Sequence, residues 1–215
     1  IYALLADLNL WRGNYDETIK YCDLVIDFKK NQYKEKKNQI GDLNDMQEFA
    51  GIPLILEGTV GSVTCGNAYN EIFGTGNSFE SIFELYFRNN QQVKNKYVND
   101  FYGKDRLGSI SALSRYCKDA ATGNSDLFTK NDCRVYATSE LSNSRYAITK
   151  YANSNVSMNI TNVTDEKSLK LSTSRGNAEY ANWIIYRLTD VMLMKAEACI
   201  LKGEAEYETA FTLIN

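Results

Sequence analysis

The side chains best suited to binding chemistry in this sequence are aromatic and hydrogen-bonding residues that form two clusters. The first cluster contains Tyr97, Asn99, Asp100, Phe101, Tyr102 and Arg106, and the second contains Tyr69, Asn70 and Phe73. An aromatic face covers apolar C–H surface of a ligand, while amide, carboxylate and guanidinium groups hydrogen-bond its polar groups. Both clusters are predicted to lie in loops, which makes them candidate ligand-binding residues.

The two tryptophans are also possible stacking platforms, but their surroundings in the sequence favour a structural role. Trp11 continues an apolar helical stripe, and Trp183 is followed directly by Ile184 and Ile185. Aromatic residues in such settings are usually packed inside a protein. We therefore expect both tryptophans to lie in the core.

One pair of carboxylates, Glu80 and Glu84, has the residue types that glycoside hydrolysis requires. On a β-strand the two side chains would share a face and lie about 13 Å apart, at about 3.3 Å per residue. Retaining glycosidases hold their two carboxyl groups about 5–5.5 Å apart, and inverting enzymes hold them less than about 10 Å apart. The spacing therefore disfavours a hydrolase.

The composition excludes several other kinds of chemistry. The sequence contains no histidine, so Ser-His-Asp catalysis, Cys-His catalysis and histidine-ligated metal sites are excluded. Its five cysteines are far apart and form no C-x-x-C motif, so we expect them to be small buried hydrophobic residues. No metal site or cofactor is predicted.

The charge pattern argues against nucleic acid as a partner. The 27 acidic and 24 basic residues are dispersed along the chain and give a formal net charge of −3. No basic block is present that would neutralise a row of phosphates.

Two stretches of the sequence predict helical hairpins. Residues 2–28 predict two helices joined at Gly13-Asn14, and the apolar stripe of the first helix contains Leu4, Leu8 and Trp11. Residues 189–215 predict a helix capped at Thr189-Asp190, a break at Gly203 and a second helix. Both ends of the sequence fall inside helical patterns, so we expect the chain to be an internal piece of a longer protein.

The two hairpins share one design. A shift of 190 residues pairs Ala6 with Ala196 and Gly13 with Gly203. Small alanines allow two helices to approach closely and a glycine frees the turn, as in tetratricopeptide-like repeats. The hairpins are therefore predicted to fold against each other, with the intervening chain inserted between them.

The intervening chain predicts loops with a few short β-strands. Residues 79–87, FESIFELYF, alternate like a half-buried strand. The other predicted features are a charged helix end and loop at 29–48, glycine-rich loop at 50–77, a long polar and aromatic loop at 88–130, short strands at 133–138 and 146–151, and weak pattern over 152–182. We predict a mainly α fold in a single domain over residues 1–215, with tetratricopeptide-like helical hairpins and a loop-rich insertion at 50–182.

Five segments, in this order, resemble the SusD/RagB family of outer-membrane lipoproteins of Bacteroidetes. They are ALLADLNLWRGNYDETIKYCDLVID, NSFESIFELYF, NDCRVYAT, TKY and NWIIYRLTDVMLMKAEACILKG. The last segment is the most specific, because Arg187, Asp190, Ala196 and Gly203 stand at the spacing that the family shows. Lys195 stands where the family usually has tyrosine.

The resemblance implies a helical scaffold that docks onto a TonB-dependent, SusC-like outer-membrane transporter. It also implies a loop-rich part, here residues 50–182, that captures polysaccharide or oligosaccharide at the cell surface without cleaving it, and attachment to the membrane through a lipid anchor outside this sequence. On this resemblance the two aromatic clusters are the candidate sugar-binding residues, because an aromatic face covers the apolar C–H surface of a pyranose ring while polar side chains hydrogen-bond its hydroxyls. Arg187 and Asp190 are three residues apart, so we expect a scaffold ion pair or a helix cap rather than a catalytic pair.

Two other functions stay open on the sequence alone. A tetratricopeptide-like scaffold that binds only proteins would need no aromatic insertion, and a glycoside hydrolase would need a closer carboxylate pair. Migration in gels containing polysaccharide separates the first from a sugar-binding protein, and release of reducing sugar separates the second.

Overall fold

The computed structural model of the chain describes residues 1–41, 45–56, 59–60, 63–64, 67–87, 94–102, 108–113, 139–142, 145–148, 150–151, 155–160, 169–174 and 180–214. The fold is mainly α with a few short strands, as the sequence predicts. The α-helices are α1 (Tyr2–Trp11), α2 (Tyr15–Ile40), α3 (Asn67–Tyr69), α4 (Lys96–Tyr102), α5 (Leu188–Lys202) and α6 (Tyr207–Ile214). A π-helical turn follows α3 at Asn70–Thr75, and a 3-10 turn precedes α6 at Glu204–Glu206.

The strands are short and pair in small sheets. They are β1 (Met46–Phe49), β2 (Ile52–Ile55), β3 (Thr59–Val60), β4 (Val63–Thr64), β5 (Ser81–Leu85), β6 (Ser111–Ala112), β7 (Ser139–Ser142), β8 (Arg145–Ile148), β9 (Asn155–Ile160), β10 (Leu169–Ser174) and β11 (Trp183–Arg187). β1 pairs with β2, β3 with β4, β9 with β10 and β5 with β11, while β6, β8 and β7 form a three-stranded sheet in that order.

The chain divides into two compact units. Unit 1 contains Ile1–Leu56, Phe79–Glu84 and Ile184–Asn215, and unit 2 contains Glu57–Ser78 and Leu85–Trp183. Both predicted hairpins therefore belong to unit 1. Most of the predicted insertion belongs to unit 2.

The two hairpins of unit 1 pack against each other, as the sequence predicts. α2 lies against both α1 and α5, and α6 lies against α5. Ala6 on α1 and Ala196 on α5, which the shift of 190 residues aligns, are both buried, and so is Ala210 on α6. Small side chains at these positions let the helix backbones approach closely.

The apolar stripe of α1 is exposed, so the predicted core position of Trp11 is wrong. Trp11 is 86% exposed, and Leu4 and Leu8 are exposed as well. The buried positions on this helix are Ala3 and Ala6. The close approach that these alanines permit places the larger apolar side chains on the outer face of α1.

Glycines form both hairpin turns of unit 1. Gly13 has φ 75° and Gly203 has φ 127°, a region of backbone conformation that favours glycine. The Gly13 N–H donates to the carbonyl oxygen of Leu10 at 3.0 Å, which closes the end of α1. The alignment of these two glycines in the sequence therefore reflects a shared turn function.

Helix α5 begins at Leu188, before the predicted capping position at Thr189-Asp190. Arg187 precedes the helix, and its N–H donates to Oδ2 of Asp190 at 2.9 Å. Asp190 therefore caps α5, which corrects the expected capping position at Thr189-Asp190 and agrees with the expected cap between Arg187 and Asp190.

Polar contacts join the helices of unit 1 beside its apolar core. Lys195 of α5 forms a salt bridge with Asp23 of α2, with 2.6 Å between Nζ and Oδ1. The Tyr186 hydroxyl donates to Oδ2 of Asp7 at 2.6 Å, and desolvation, followed by this hydrogen bond, raises the pKa of Tyr186 to about 12. Lys195, which departs from the usual family residue, thus holds two scaffold helices together.

The core of unit 1 also contains two thiols. Cys22 on α2 and Cys199 on α5 are buried and unpaired with other cysteines. Burial raises the pKa of both thiols, and that of Cys22 reaches about 12. They behave as the small hydrophobic residues that the sequence predicts.

Strand β5 is held on both sides within unit 1. On one side it pairs with β11, next to which the Leu188 N–H donates to the carbonyl oxygen of Glu80 at 2.8 Å. On the other side, Nζ of the buried Lys29 donates to the carbonyl oxygens of Phe79 at 2.5 Å and Ser81 at 2.9 Å. Lys29 therefore satisfies two backbone acceptors at a strand edge, where such groups otherwise invite pairing with another chain.

Other parts of the chain differ from the sequence prediction. α2 continues to Ile40, so much of the predicted charged loop is an exposed helix end. Helix α4 occupies part of the predicted loop at 88–130, and strands β9 and β10 occupy a stretch without a clear pattern. The predicted strand at 133–138 lies outside the described residues, whereas β5 and β8 overlap predicted strands.

Candidate functional site

Two aromatic rings of the first predicted cluster are displayed together on helix α4. Tyr97 and Phe101 are 70% and 43% exposed. Their ring centroids lie 6.2 Å apart at an interplanar angle of 18°, which is an offset stack between residues i and i+4. The Tyr97–Phe101 pair therefore presents two nearly parallel aromatic faces on one side of a helix.

The opposite side of α4 is anchored in the core of unit 2. Val98 is buried against Ala181, and Tyr102, Tyr151 and Trp183 pack around these two residues. Tyr102, predicted to be a loop residue available to sugar, is instead half-buried and faces this core. Helix periodicity explains the difference, because Val98 and Tyr102 are four residues apart and share the inner face.

Asn95 fixes the start of α4. Its Oδ1 accepts a hydrogen bond from the Val98 N–H at 3.3 Å, and its Nδ2 donates to the carbonyl oxygen of Ala181 at 2.8 Å. The first contact has the geometry of a helix N-cap. Because Asn95 is only 2% exposed, both contacts are protected from water.

The chain after α4 closes the other end of the helix. The N–H groups of Ser109 and Ile110 donate to the carbonyl oxygens of Asp100 and Phe101 at 3.1 and 3.0 Å. A Cβ atom on Gly108 would lie 1.9 Å from the carbonyl oxygen of Phe101. Only glycine therefore permits this close approach.

A second set of rings forms an aromatic row in unit 2, consisting of Tyr69, Phe73, Tyr151 and Trp183. Successive ring centroids lie 5.3 Å apart for Tyr69 and Phe73, 5.2 Å for Phe73 and Tyr151, and 5.5 Å for Tyr151 and Trp183. The Phe73–Tyr151 contact is edge-to-face, and the Tyr151–Trp183 contact is stacked at 13°. Each geometry is favourable for aromatic pairs.

The backbone of the aromatic row is unusual at two places. Phe73 lies in the π-helical turn Asn70–Thr75, and Tyr151 has φ 65°. π-helical turns and left-handed non-glycine residues are both enriched at functional sites. Both are strained, and they persist only where the surrounding structure holds them in place. Their occurrence in touching residues favours this row as part of a binding site.

Tyr69 supports the row from the inside. Burial raises the pKa of its hydroxyl, although a hydrogen bond with the backbone of Tyr151 acts in the opposite direction. A neutral phenol therefore links the π-helical region to the strained Tyr151.

The structure connects the two predicted clusters into one aromatic assembly, which we define as the Tyr97–Phe101 pair, Tyr102 and the aromatic row. Tyr102 of the first cluster shares a core with Tyr151 and Trp183. Tyr151 in turn contacts both Trp183 and Phe73 of the second cluster. Trp183, which was expected in the core, is half-buried in unit 2. Tyr151 was not predicted as a site residue. Tyr151 and Trp183 lie in the segments TKY and NWII, which carry the family resemblance. No periodicity in the sequence indicated that these two residues contact each other.

The polar candidates fall in different places. Asp100 is exposed on α4, and Asn70 is half-buried in the π-helical turn. The side chain of Asn99 and the whole of Arg106 lie outside the described residues. The predicted sugar-binding roles of all nine candidates remain predictions.

Both carboxylates of the pair Glu80 and Glu84 accept hydrogen bonds from other parts of the chain. Glu80 is 3% exposed, and its Oε1 accepts a hydrogen bond from the Ile55 N–H at 3.1 Å. Glu84 accepts a hydrogen bond from the Ser81 hydroxyl at 2.5 Å. Burial lowers the pKa of Lys29, and the charge of Glu80 acts in the opposite direction. These contacts tie Glu80 to β2 and Glu84 to Ser81 at the start of β5.

Comparison with known families identifies the class of the protein. The model of the SusD family matches residues 66–215, which are 150 of the 215 residues. The chain belongs to the SusD family. The match includes the whole aromatic assembly as well as α5 and α6.

Neither the curated proteins nor the solved structures contain a match to this chain. Within the described residues, no helix combines the length and apolar character needed to cross a bilayer.

Proposed function

We propose that the protein captures glycans at the outer-membrane surface and passes them, uncleaved, to a TonB-dependent transporter. The observation that carries the proposal is the exposed Tyr97–Phe101 pair on a helix whose inner face and both ends are fixed. Membership of the SusD family supports glycan capture as the general role.

The fixed position of α4 matters for affinity. A helix of seven residues is unstable alone, but Asn95, Val98 and the chain at 108–110 hold α4 in place. A ligand that stacks on the Tyr97–Phe101 pair therefore finds two rings already ordered. Pre-organisation of this kind reduces the ordering cost of binding.

Two observations support the part of the proposal that the glycans are not cleaved. Glu80 is buried and hydrogen-bonded, and the sequence contains no histidine. Measurement of reducing sugar released from plant and host glycans tests this part. Steady product release by the homogeneous protein would contradict a pure binding role, and loss of that release in Glu84→Gln would assign the hydrolysis to this carboxylate.

Docking to a transporter is assigned to unit 1. Its helix α1 exposes Leu4, Leu8 and Trp11, and α5 exposes Leu193 and Ile200. Apolar surfaces of this kind are typical of protein–protein contacts. We expect Trp11→Ala to reduce co-purification with a SusC-like transporter from membranes while leaving glycan binding unchanged. The family assignment supports a surface location and a lipid anchor, and both belong to the same proposal.

Glycan binding is tested by affinity electrophoresis of the full-length protein in gels that contain single polysaccharides. Tyr97→Ala and Phe101→Ala should each weaken the retardation, equivalent to about 1–3 kcal/mol of binding energy, because each removes one stacking face. Phe28→Ala removes an exposed ring from unit 1 and serves as the matched control. Retardation that is unchanged in both α4 variants would remove the Tyr97–Phe101 pair from the proposal.

A scaffold that binds only proteins is the second candidate, and the exposed apolar face of α1 favours it. The two candidates differ in their response to sugar. Unretarded migration of the full-length protein across a broad panel of neutral and acidic glycans would favour the protein-binding scaffold.

A further inference from the structure

The charges of the chain are distributed unequally between the two units. Unit 2 contains fourteen Lys and Arg residues against eleven Asp and Glu residues, which gives a net charge of +3. Unit 1 contains ten basic and sixteen acidic residues, which gives −6. The unit that carries the aromatic assembly is therefore basic within an acidic chain, and it attracts anions more strongly than the chain's net charge suggests.

Two of these basic side chains lie over aromatic rings of unit 2, and one of the two rings, Phe73, belongs to the aromatic row. Nζ of Lys150 lies 4.7 Å from the ring centroid of Phe73, and Nζ of Lys94 lies 6.0 Å from that of Tyr180. Both lysines are exposed. An ammonium group in this position places positive charge against a ring face of unit 2, the unit that also carries the Tyr97–Phe101 pair.

The sequence neighbours of both lysines belong to the same structural region. Lys150 precedes Tyr151 of the aromatic row, and Lys94 precedes Asn95, which binds the backbone of Ala181. The two charges are therefore attached to elements that position α4 and Trp183. Their location relative to the rings follows from the fold of unit 2 rather than from a freely moving tail.

We infer that the glycans captured by this protein are anionic, carrying carboxylate or sulfate groups, and that Lys94 and Lys150 select them. The inference rests on the proposed function. A uronic acid has a stackable C–H face and a carboxylate attached at the ring, so one residue can meet an aromatic face and an adjacent ammonium together. A sulfated sugar offers the same combination with a different anion.

The test compares glycans that differ only in charge. Binding of the full-length protein to polygalacturonate is measured by isothermal titration calorimetry, alongside its carboxyl-reduced form, which has the same linkages and no charge. A carrageenan and its desulfated form provide the sulfate comparison. We expect the charged form of one pair, or of both, to bind at least about fivefold more tightly, and we expect this advantage to shrink in high salt.

Variants of the two lysines test whether these side chains cause the tighter binding of charged glycans. Lys94→Met and Lys150→Met keep an aliphatic side chain but remove the charge, and each should weaken binding of the charged glycan by about fivefold without weakening binding of its uncharged form. Lys34→Met, on the exposed end of α2 in unit 1, removes one charge elsewhere and should change neither. Near-UV circular dichroism confirms that the ring environment is retained.

Each outcome decides a different statement. Equal binding of charged and uncharged forms overturns the selection of anions but leaves glycan capture intact. A preference for charged glycans that both lysine variants retain overturns the role of Lys94 and Lys150. Absence of binding to any charged or neutral glycan in the panel overturns the proposed function itself.

Discussion

The side-chain amide of Asn95 donates a hydrogen bond to the carbonyl oxygen of Ala181 across 86 residues of sequence, at 2.8 Å. The same side chain accepts a hydrogen bond from the first turn of α4. One buried residue therefore determines both where α4 begins and where it lies against the chain leading to Trp183.

Asn95→Ala should loosen α4. It leaves the Val98 N–H and the Ala181 carbonyl without their partner, which costs about 1–3 kcal/mol for buried groups. We expect a lower melting temperature and weaker retardation in polysaccharide gels.

Asn95→Ser provides the matched comparison for that variant. The serine hydroxyl keeps an acceptor for the Val98 N–H at the capping position but is too short to replace the contact with Ala181. If Asn95→Ser and Asn95→Ala behave identically in both assays, the helix cap contributes nothing separable from the contact with Ala181.

Gly108→Ala should disturb the same helix from its other end. The added methyl group would overlap the carbonyl oxygen of Phe101, so either the 108–110 segment or the end of α4 must move. We expect a loss of stability of about 1–3 kcal/mol, measured by urea denaturation, together with weaker glycan binding. Ser109→Ala removes one hydroxyl contact and should be much milder, and comparable losses in the two variants would contradict the steric explanation.

Lys29→Met should destabilise unit 1. The substitution leaves the carbonyl oxygens of Phe79 and Ser81 without their donor and removes the positive charge near Glu80. We expect the free energy of unfolding to fall by about 1–3 kcal/mol. A variant as stable as the wild type would show that water replaces the ammonium at this edge.

The pH dependence of stability reports on the same lysine. Burial lowers the pKa of Lys29 below its ordinary value of 10.5 in the folded protein, so the unfolded chain binds more protons here between the two values. The contribution of Lys29 to the free energy of unfolding therefore rises with pH across that interval. The difference between wild type and Lys29→Met should move in favour of the wild type as pH approaches 10.5, and a change in the opposite direction would contradict the lowered pKa.

Replacement of the large, exposed Trp11 should cost less stability than replacement of the small, buried Ala6. Trp11→Ala removes a ring that is mostly in solvent and should change stability by less than about 0.5 kcal/mol. Ala6→Leu adds three carbon atoms where α1 meets its neighbours and should cost about 1–3 kcal/mol. Chemical denaturation of the two variants checks the order, and a larger loss for Trp11→Ala would place its ring in the core.

The helical part of the fold was largely predictable from sequence because its signals are local. The periodicity of α2 and α5 and the glycines at 13 and 203 lie within single hairpins. The exposure of Trp11 was not predictable in the same way. An apolar stripe indicates a face that avoids water, but the alanines on the other side of α1 determine which face meets α2.

The aromatic assembly was predictable only in part, for a related reason. Composition identified Tyr69, Phe73, Tyr97 and Phe101, since clustered aromatic and polar residues are visible in sequence. The contacts of Tyr151 with Phe73 and Trp183 join residues 78 and 32 positions apart, and no local pattern carries that information. The loop prediction for 96–102 was wrong because α4 owes its stability to Asn95 and to contacts with the distant Ala181.

The two buried thiols on α2 and α5, Cys22 and Cys199, can report how often these helices separate. Cys22 has no exposed surface and a pKa raised to about 12, so an alkylating reagent reacts with it only when the helices separate. Peptide mapping after timed exposure to iodoacetamide would give the opening frequency of this interface in the native protein. A bound transporter that closes over unit 1 should slow that labelling, whereas a sugar held by unit 2 alone should leave it unchanged.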